Sequence, residues 1–359
     1  MEGLKMPTAS IDTFFACSLM TILVLSAMAG LSITLFPHST TSYNEETEER
    51  FLQLTKYILL NTGSPENWGE NSSIVPSYFG LAETNGIYAL NIDKVSRLNI
   101  ENVYALSYSN ILDSLKIKNV AIRMSIKPVF DVQINMTSNL DEGNETVYVF
   151  EIRTVKSGLP LSTLVKSHLL VEEQVYSKPY LTLQNGYGVI NFSVSNSLSG
   201  KATLIVLAKH AFDPYIVSFA TYPFQHNSQE SLVEDGVFLQ LSPLNYTLHV
   251  SLLHAAVNVS KAYAFSFNYT FELRKTYENE SFLKYTIPRL QDISPLVLAV
   301  TGRNSTNAFV ECVPYPQIPL ETGATFSDST RSNVITHQQI IMINRVLYEF
   351  TLKSGGPTT

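Results

Sequence analysis

Between Thr13 and Phe36 the chain reads TFFACSLMTILVLSAMAGLSITLF, 24 residues without a charge. About 20 such residues in a helix cross a bilayer core. This run therefore constrains everything downstream of it. Lys5 and the free amine precede it, whereas Glu45, Glu46, Glu48 and Glu49 follow it. The bias of positive charge puts the short amino-terminal side in the cytoplasm and sends the rest of the chain outward. Residues 1–12 are read as a cytoplasmic leader and 13–36 as a transmembrane helix, with membrane lipid as its partner. Two processing alternatives stand beside a plain anchor. Ala27-Met28-Ala29 offers a signal-peptidase site after a short apolar core. Asp12, a carboxylate at the head of the run, is costly in lipid unless paired. It marks either the interface edge or the acidic position that pilins use to meet a neighbouring amine.

After Pro37 a second helix is expected over 42–62 as a stalk. Ser42-Tyr43-Asn44-Glu45 fits a capping box, and EETEER places acidic groups where the helix dipole favours them. Phe51, Leu54 and Ile58, with Leu52 and Leu59, form an apolar stripe. Asn61 to Gly63 and then Pro65 stop it. Trp68, the sole tryptophan among 359 residues, follows at once. It reads as a packing clamp, with carbohydrate stacking as the alternative.

PENWG, FGLA, NIDKVSRLN (91–99) and LSYSNILDSLKI (106–117) occur in this order, and together they resemble archaeal membrane-anchored surface proteins of the pilin-like type. The resemblance covers 59–128. It implies an archaeal envelope and no catalytic residues.

The remainder is read as mainly β with some helix. Helices are expected at 93–98 and 108–115. Val132, Ile134 and Met136 then alternate with Gln133 and Asn135, the period of a half-buried strand. Residues 63–143 are read as a small α+β domain. Strand-like runs separated by turns follow through 225: YVFEIRTV, the Gly158-Leu159-Pro160 turn, NGYGVINF, ATLIVLA and YIVSFATYPF. This order resembles immunoglobulin-like surface modules and implies a β-sandwich over 144–225. A second sandwich is expected over 226–359. Within it Tyr263, Phe265, Phe267, Tyr269, Phe271 and Leu273 are read as one alternating aromatic face. A closing hairpin is expected to turn at Asn344-Arg345. The prolines of 313–319 exclude a central strand there.

Asn-x-Ser/Thr sequons begin at Asn71, Asn135, Asn144, Asn191, Asn245, Asn258, Asn268, Asn279 and Asn304. Asn135, Asn191, Asn245 and Asn268 each sit between core-parity residues of an expected strand, so the asparagine takes the solvent side and is compatible with a glycan. Exposed strand faces that simply favour Asn, Ser and Thr are the alternative.

No HExxH, P-loop or G-x-S-x-G pattern is present. The seven histidines and two cysteines show no paired metal spacing, and Cys312 reads as a structural thiol. No cofactor or metal is implied. The formal charge of −7 argues against a nucleic-acid partner. The expectation is a single-pass membrane protein, not an enzyme, with extracellular domains that serve adhesion or envelope architecture or form a minor pilin-like component. Its partners would be proteins or glycans at the cell surface, with homo- or hetero-oligomers among them. A module that binds polysaccharide or peptide is the alternative, and a surface hydrolase is the third reading.

Overall fold

A computed structural model describes residues 16, 18–24, 26, 37–228, 231–305, 307–326 and 334–355. The chain divides into two compact units, Met1–Leu54 and Thr55–Thr359. In the first, residues 16, 18–24 and 26 are helical, and Leu19, Met20, Ile22 and Leu23 are exposed. Among the described residues no helix is long and apolar enough to cross a membrane. Most of the expected span, 13–36, lies outside them, as do Asp12 and the leader.

The expected stalk helix starts earlier than its capping box. It runs Pro37–Leu60, because proline is tolerated in the first turn of a helix, where its missing N–H has no partner to lose. Ser42 is thus inside the helix rather than at its cap. The carboxyl end agrees with the sequence: Asn61 Nδ2 donates to Tyr57 O, and Gly63 adopts φ 77°. A side chain at Gly63 would also meet the Trp68 indole nitrogen at 2.9 Å.

The second unit is mainly β. Its first sheet has the order Ala89–Leu90, Ile335–Ile343, Val346–Gly355, Ala121–Pro128, Leu320–Gly323. Early and late segments therefore share one sheet. Ile122, Met124 and Ile126 pair with Ser354, Leu352 and Phe350, and this row is buried. The expected boundary that assigned 226–359 to a separate sandwich is corrected here. The last hairpin completes the amino-terminal sheet, because that sheet's apolar strand needs an apolar neighbour. The hairpin turns at Asn344 and Arg345, both with positive φ. Helices Ile92–Ser96 and Tyr108–Leu115 fall in sequence between its strands Ala89–Leu90 and Ala121–Pro128.

Two further sheets face one another. One holds Asp131–Asp141, Glu145–Lys156, Leu159–Pro160 and Tyr187–Ser195. The other has the order Val217–His226, Gly200–His210, Thr163–Val171 and Gln174–Ser177, with Leu181–Leu183 also on Thr163–Val171. Between them lie Phe150, Ile152, Phe192 and Val194 from the first, and Leu169, Leu204 and Val206 from the second. The strand Asp131–Asp141 belongs to this sandwich and not to the small domain in which it was expected. It pairs with Glu145–Lys156 along its length, with one bulge between Met136 and Ser138, so 143/144 is a hairpin turn rather than a domain boundary.

Gly200–His210 explains the next layer. Its run ATLIVLA does not alternate, as expected of a strand covered on both faces. Leu204 and Val206 face the sandwich core. Ile205 and Leu207 face the other way, onto Tyr263, Phe265, Val297 and Val310. Those residues belong to a sheet ordered Thr270–Glu272, Val257–Phe265, Leu296–Asn304, Asn307–Tyr315. The boundary at 225/226 is corrected accordingly: the later sheet uses the outer face of the middle one as its core. Pro314 lies in Asn307–Tyr315, the edge strand, where the missing donor costs no ladder bond.

A fifth sheet is ordered Leu239–Leu244, Thr247–Leu252, Phe282–Thr286, Arg274–Glu278. The single aromatic face expected over 263–273 is not formed. The chain reverses at 266–269, where Ser266 N donates to Tyr269 O, and Thr270–Glu272 folds back on Val257–Phe265. Tyr263, Phe265 and Phe267 are buried, whereas Tyr269 is exposed.

Candidate functional site

Three charges in the segment NIDKVSRLN are buried. Asn91 caps the helix Ile92–Ser96, its Oδ1 accepting from Asp93 N and Lys94 N. That cap points Lys94 and Arg97 back toward the PENWG loop. Lys94 Nζ donates to Thr62 O at 2.7 Å and Ala82 O at 2.9 Å. Arg97 donates to the carbonyls of Trp68, Asn71, Ser72, Ile74 and Tyr104. A buried guanidinium is tolerable when all three of its nitrogens are engaged in this way.

Trp68 lies between these cations. It has no exposed surface, its Nε1 donates to Gly80 O at 3.2 Å, and the Arg97 guanidinium is 5.5 Å from the ring centroid. Phe79 packs at 5.9 Å. No face of the indole is open to a sugar. The motif residues that carry the resemblance form a folding node in which side-chain charges hold an irregular loop by its backbone.

Asp93 points the other way. Its Oδ1 accepts from Asn245 N at 2.7 Å and Tyr315 Oη at 2.8 Å. Burial pushes the carboxyl up, and those two hydrogen bonds oppose the shift. Its Oδ2 meets no donor among the described residues. Asp93 lines a hollow of about 480 Å³ with Glu70, Glu83, Tyr246, Arg289 and Arg345. The Arg289 guanidinium stacks 4.3 Å from the Tyr246 ring centroid. Arg345 Nη1 donates to Gln291 O. Neither arginine forms an ion pair among the described residues. The hollow is therefore lined by carboxylates and by two guanidiniums that no carboxylate pairs among the described residues. Its volume is in the range of small-molecule sites.

A larger hollow of about 630 Å³ is lined by Glu101, Asp235, Leu239, Glu311, Cys312 and Gln317, among others. Burial pushes the Cys312 thiol well up, which opposes the thiolate a nucleophile requires. Among the described residues no cluster of His, Cys, Asp and Glu is arranged to hold a metal.

Of the nine sequon asparagines, Asn71, Asn135, Asn144, Asn191, Asn245, Asn258, Asn268 and Asn279 are exposed, and Asn304 is half-buried. Asn135 lies between Ile134 and Met136, and Asn191 between Ile190 and Phe192; all four neighbours pack on the sandwich core. Two positions read as strand are not strand. Asn245 is in the turn joining Leu239–Leu244 to Thr247–Leu252, with φ 45°. Asn268 is in the 266–269 reversal, where Nδ2 donates to Asp292 Oδ1 at 2.6 Å.

Sequence reasoning missed the hollow and the buried charges. Its one local signal was the density of charge in DKVSR immediately after a capping asparagine.

The fold and these sites define a mainly β protein of several sheets, antiparallel except where Ala89–Leu90 runs parallel to Ile335–Ile343. No family model matches the chain, and no curated protein matches it. Nine solved chains show a likeness. One is a chimeric titin Z1Z2-Z1Z2 tandem functionalized with a GRGDS exogenous peptide from fibronectin. It is 10% identical, with a TM-score of 0.16, and the match covers 51% of this chain and 97% of that one. At that score the likeness adds nothing to the sheets described above.

Proposed function

We propose that this chain is a membrane-anchored surface protein with a structural or interaction role at an archaeal envelope, either in adhesion or as a minor pilin-like component. The uncharged run 13–36 serves as its anchor, with the amino terminus cytoplasmic. The facing sheets over 131–226 serve as an immunoglobulin-like module. The observation that carries this reading is the placement of the sequons. Eight of nine asparagines are exposed, and two of them alternate with core residues on sandwich strands. The buried charges of the folding node support it, because they are engaged by backbone groups and hold a scaffold. Its partners are lipid at the anchor and proteins or glycans at the head.

The test is protease added to intact cells, followed by mass spectrometry of the native protein from the membrane fraction. Digestion of the carboxyl-terminal part, with glycans on the exposed sequons, is expected. A protected carboxyl-terminal part with every sequon unmodified would overturn the proposal.

A ligand-binding role is the second reading, and the Asp93–Arg289 hollow favours it. Its charges of both signs suit a small zwitterion or an acidic sugar, with the carboxylate on the arginines and an amine or hydroxyl on Asp93. Calorimetry with free amino acids and with glucuronate tests it. Heat of binding that Arg289→Ala abolishes is expected, and silence with both ligands would reject it.

A further inference from the structure

Lys201 is the second residue of the buried strand Gly200–His210. Only 3% of its side chain is exposed, and Nζ is 2.6 Å from Asp235 Oδ1. An ammonium has three donors, yet Asp235 is the one acceptor that meets this one among the described residues. Lys94, by contrast, reaches two carbonyls and an indole face. Asp235 is itself held in place. The next residue, Gly236, donates its N–H to Glu311 Oε2 at 3.2 Å; Leu239 N donates to the same oxygen, and Phe238 N to Oε1. Glu311 is buried, so the segment carrying Asp235 is clamped from the strand Asn307–Tyr315. The burial is one-sided: 36% of the Asp235 side chain stays exposed, so the carboxylate keeps part of its hydration while the buried ammonium bears the desolvation cost with a single partner. Joining the two groups removes both charges.

We propose that Lys201 and Asp235 are linked by an intramolecular isopeptide bond between Nζ and Cγ. The proton on the short contact moves from Nζ to the carboxylate, leaving an amine and a carboxylic acid. The amine lone pair attacks Cγ, a C–N bond forms, and one C–O bond breaks. Of the three ammonium hydrogens, one stays on the amide nitrogen and two leave with the oxygen as water. Charge is conserved, and no oxidant or other reactant is required. Fixed proximity supplies the drive that a bimolecular condensation lacks. Glu311 acts as a positioning residue by clamping 236–239. The bond ties the middle sheet to the segment that enters Leu239–Leu244, and it would restrict the unfolded chain as a disulfide does.

The full chain, produced in a bacterium without N-glycosylation and purified in detergent, is digested and sequenced by tandem mass spectrometry. A branched peptide joining the Lys201 and Asp235 segments, lighter than their sum by one water, is expected. It should be absent from Lys201→Arg and from Asp235→Ala. Asp235-Gly236 can also lose water by closing to a succinimide, which gives a linear peptide and persists in Lys201→Arg. Either that outcome or recovery of both segments as unmodified linear peptides would overturn the proposal. Glu311→Gln keeps the size of the clamp but weakens its grip on three N–H groups. A lower linked fraction is expected in that variant, alongside unchanged Trp68 fluorescence.

Discussion

Replacing Lys94 with methionine separates the two roles of that lysine, its hydrogen bonds and its charge. The side chain is 2% exposed, and Nζ lies 6.0 Å from the centroid of the Trp68 ring. Burial lowers its pKa from 10.5 to about 8, against the opposing fields of Glu66, Glu70 and Glu83. A fall of that size corresponds to roughly 3 kcal/mol against the charged form. The unfolded chain keeps this proton up to about pH 10.5, whereas the folded chain releases it near 8. Between those values the unfolded state binds more protons, so stability rises with pH. The contribution is fully present above the unfolded pKa and is lost as pH falls through the folded one. Lys94→Met removes this dependence. It also leaves Thr62 O and Ala82 O without their donor, at about 1–3 kcal/mol each. Near neutral pH the two effects offset one another. Wild type should then gain on the variant by about 2 kcal/mol between roughly pH 7.5 and 9.5. Urea unfolding of the full chain in detergent, followed by the fluorescence of Trp68, measures it. Parallel stability profiles for the two proteins across that window would refute the reasoning.

Two other substitutions test the fold from different sides. His168 is buried between the sandwich and the next sheet, with Nδ1 2.8 Å from Ser177 Oγ, Nε2 unpartnered, and its ring 5.1 Å from Phe265. Burial first, and Lys166 second, lower its pKa from 6.5 to about 4. Its folded pKa is depressed, so stability should fall by roughly 3 kcal/mol as pH drops from 6.5 to 4. His168→Asn should flatten that part of the pH profile in thermal melts, and an unchanged acid slope would count against the buried neutral ring. Arg345 holds φ 68° in the final hairpin, a conformation that costs a non-glycine residue roughly 1–2 kcal/mol. Arg345→Gly should raise the urea midpoint while weakening any carboxylate binding in the Asp93 hollow. A lower midpoint would show that the arginine's contact with Gln291 O outweighs its backbone strain.

What could be read in the sequence was local, and what could not was the pairing of distant surfaces. The helix Tyr108–Leu115 follows from three apolar residues on one side, with Ser107 accepting from Asn110 N as its cap. The solvent parity of Asn135 and Asn191 follows from the period of two. The run ATLIVLA shows that both faces of its strand are covered, but not by what. One cover is Phe150 and Phe192, the other Phe265 and Val297, and no local pattern distinguishes those aromatic strands from strands of an independent sandwich. The same blindness placed the last hairpin with its sequence neighbours rather than with Ala121–Pro128. Buried charge is harder still. Asp93, Lys94 and Arg97 look like an ordinary solvated helix face until Lys94 and Arg97 are seen to meet carbonyls 12 to 32 residues earlier and Asp93 to meet Asn245 N and Tyr315 Oη, separations set by tertiary packing rather than by helical spacing. The buried Lys201 and its exposed partner Asp235 pose the same difficulty. One stands in a strand and the other in a turn, 34 positions apart, and each is unexceptional alone. Only the clamp from Glu311 and the burial of the strand turn two surface-type residues into a pair close enough to react.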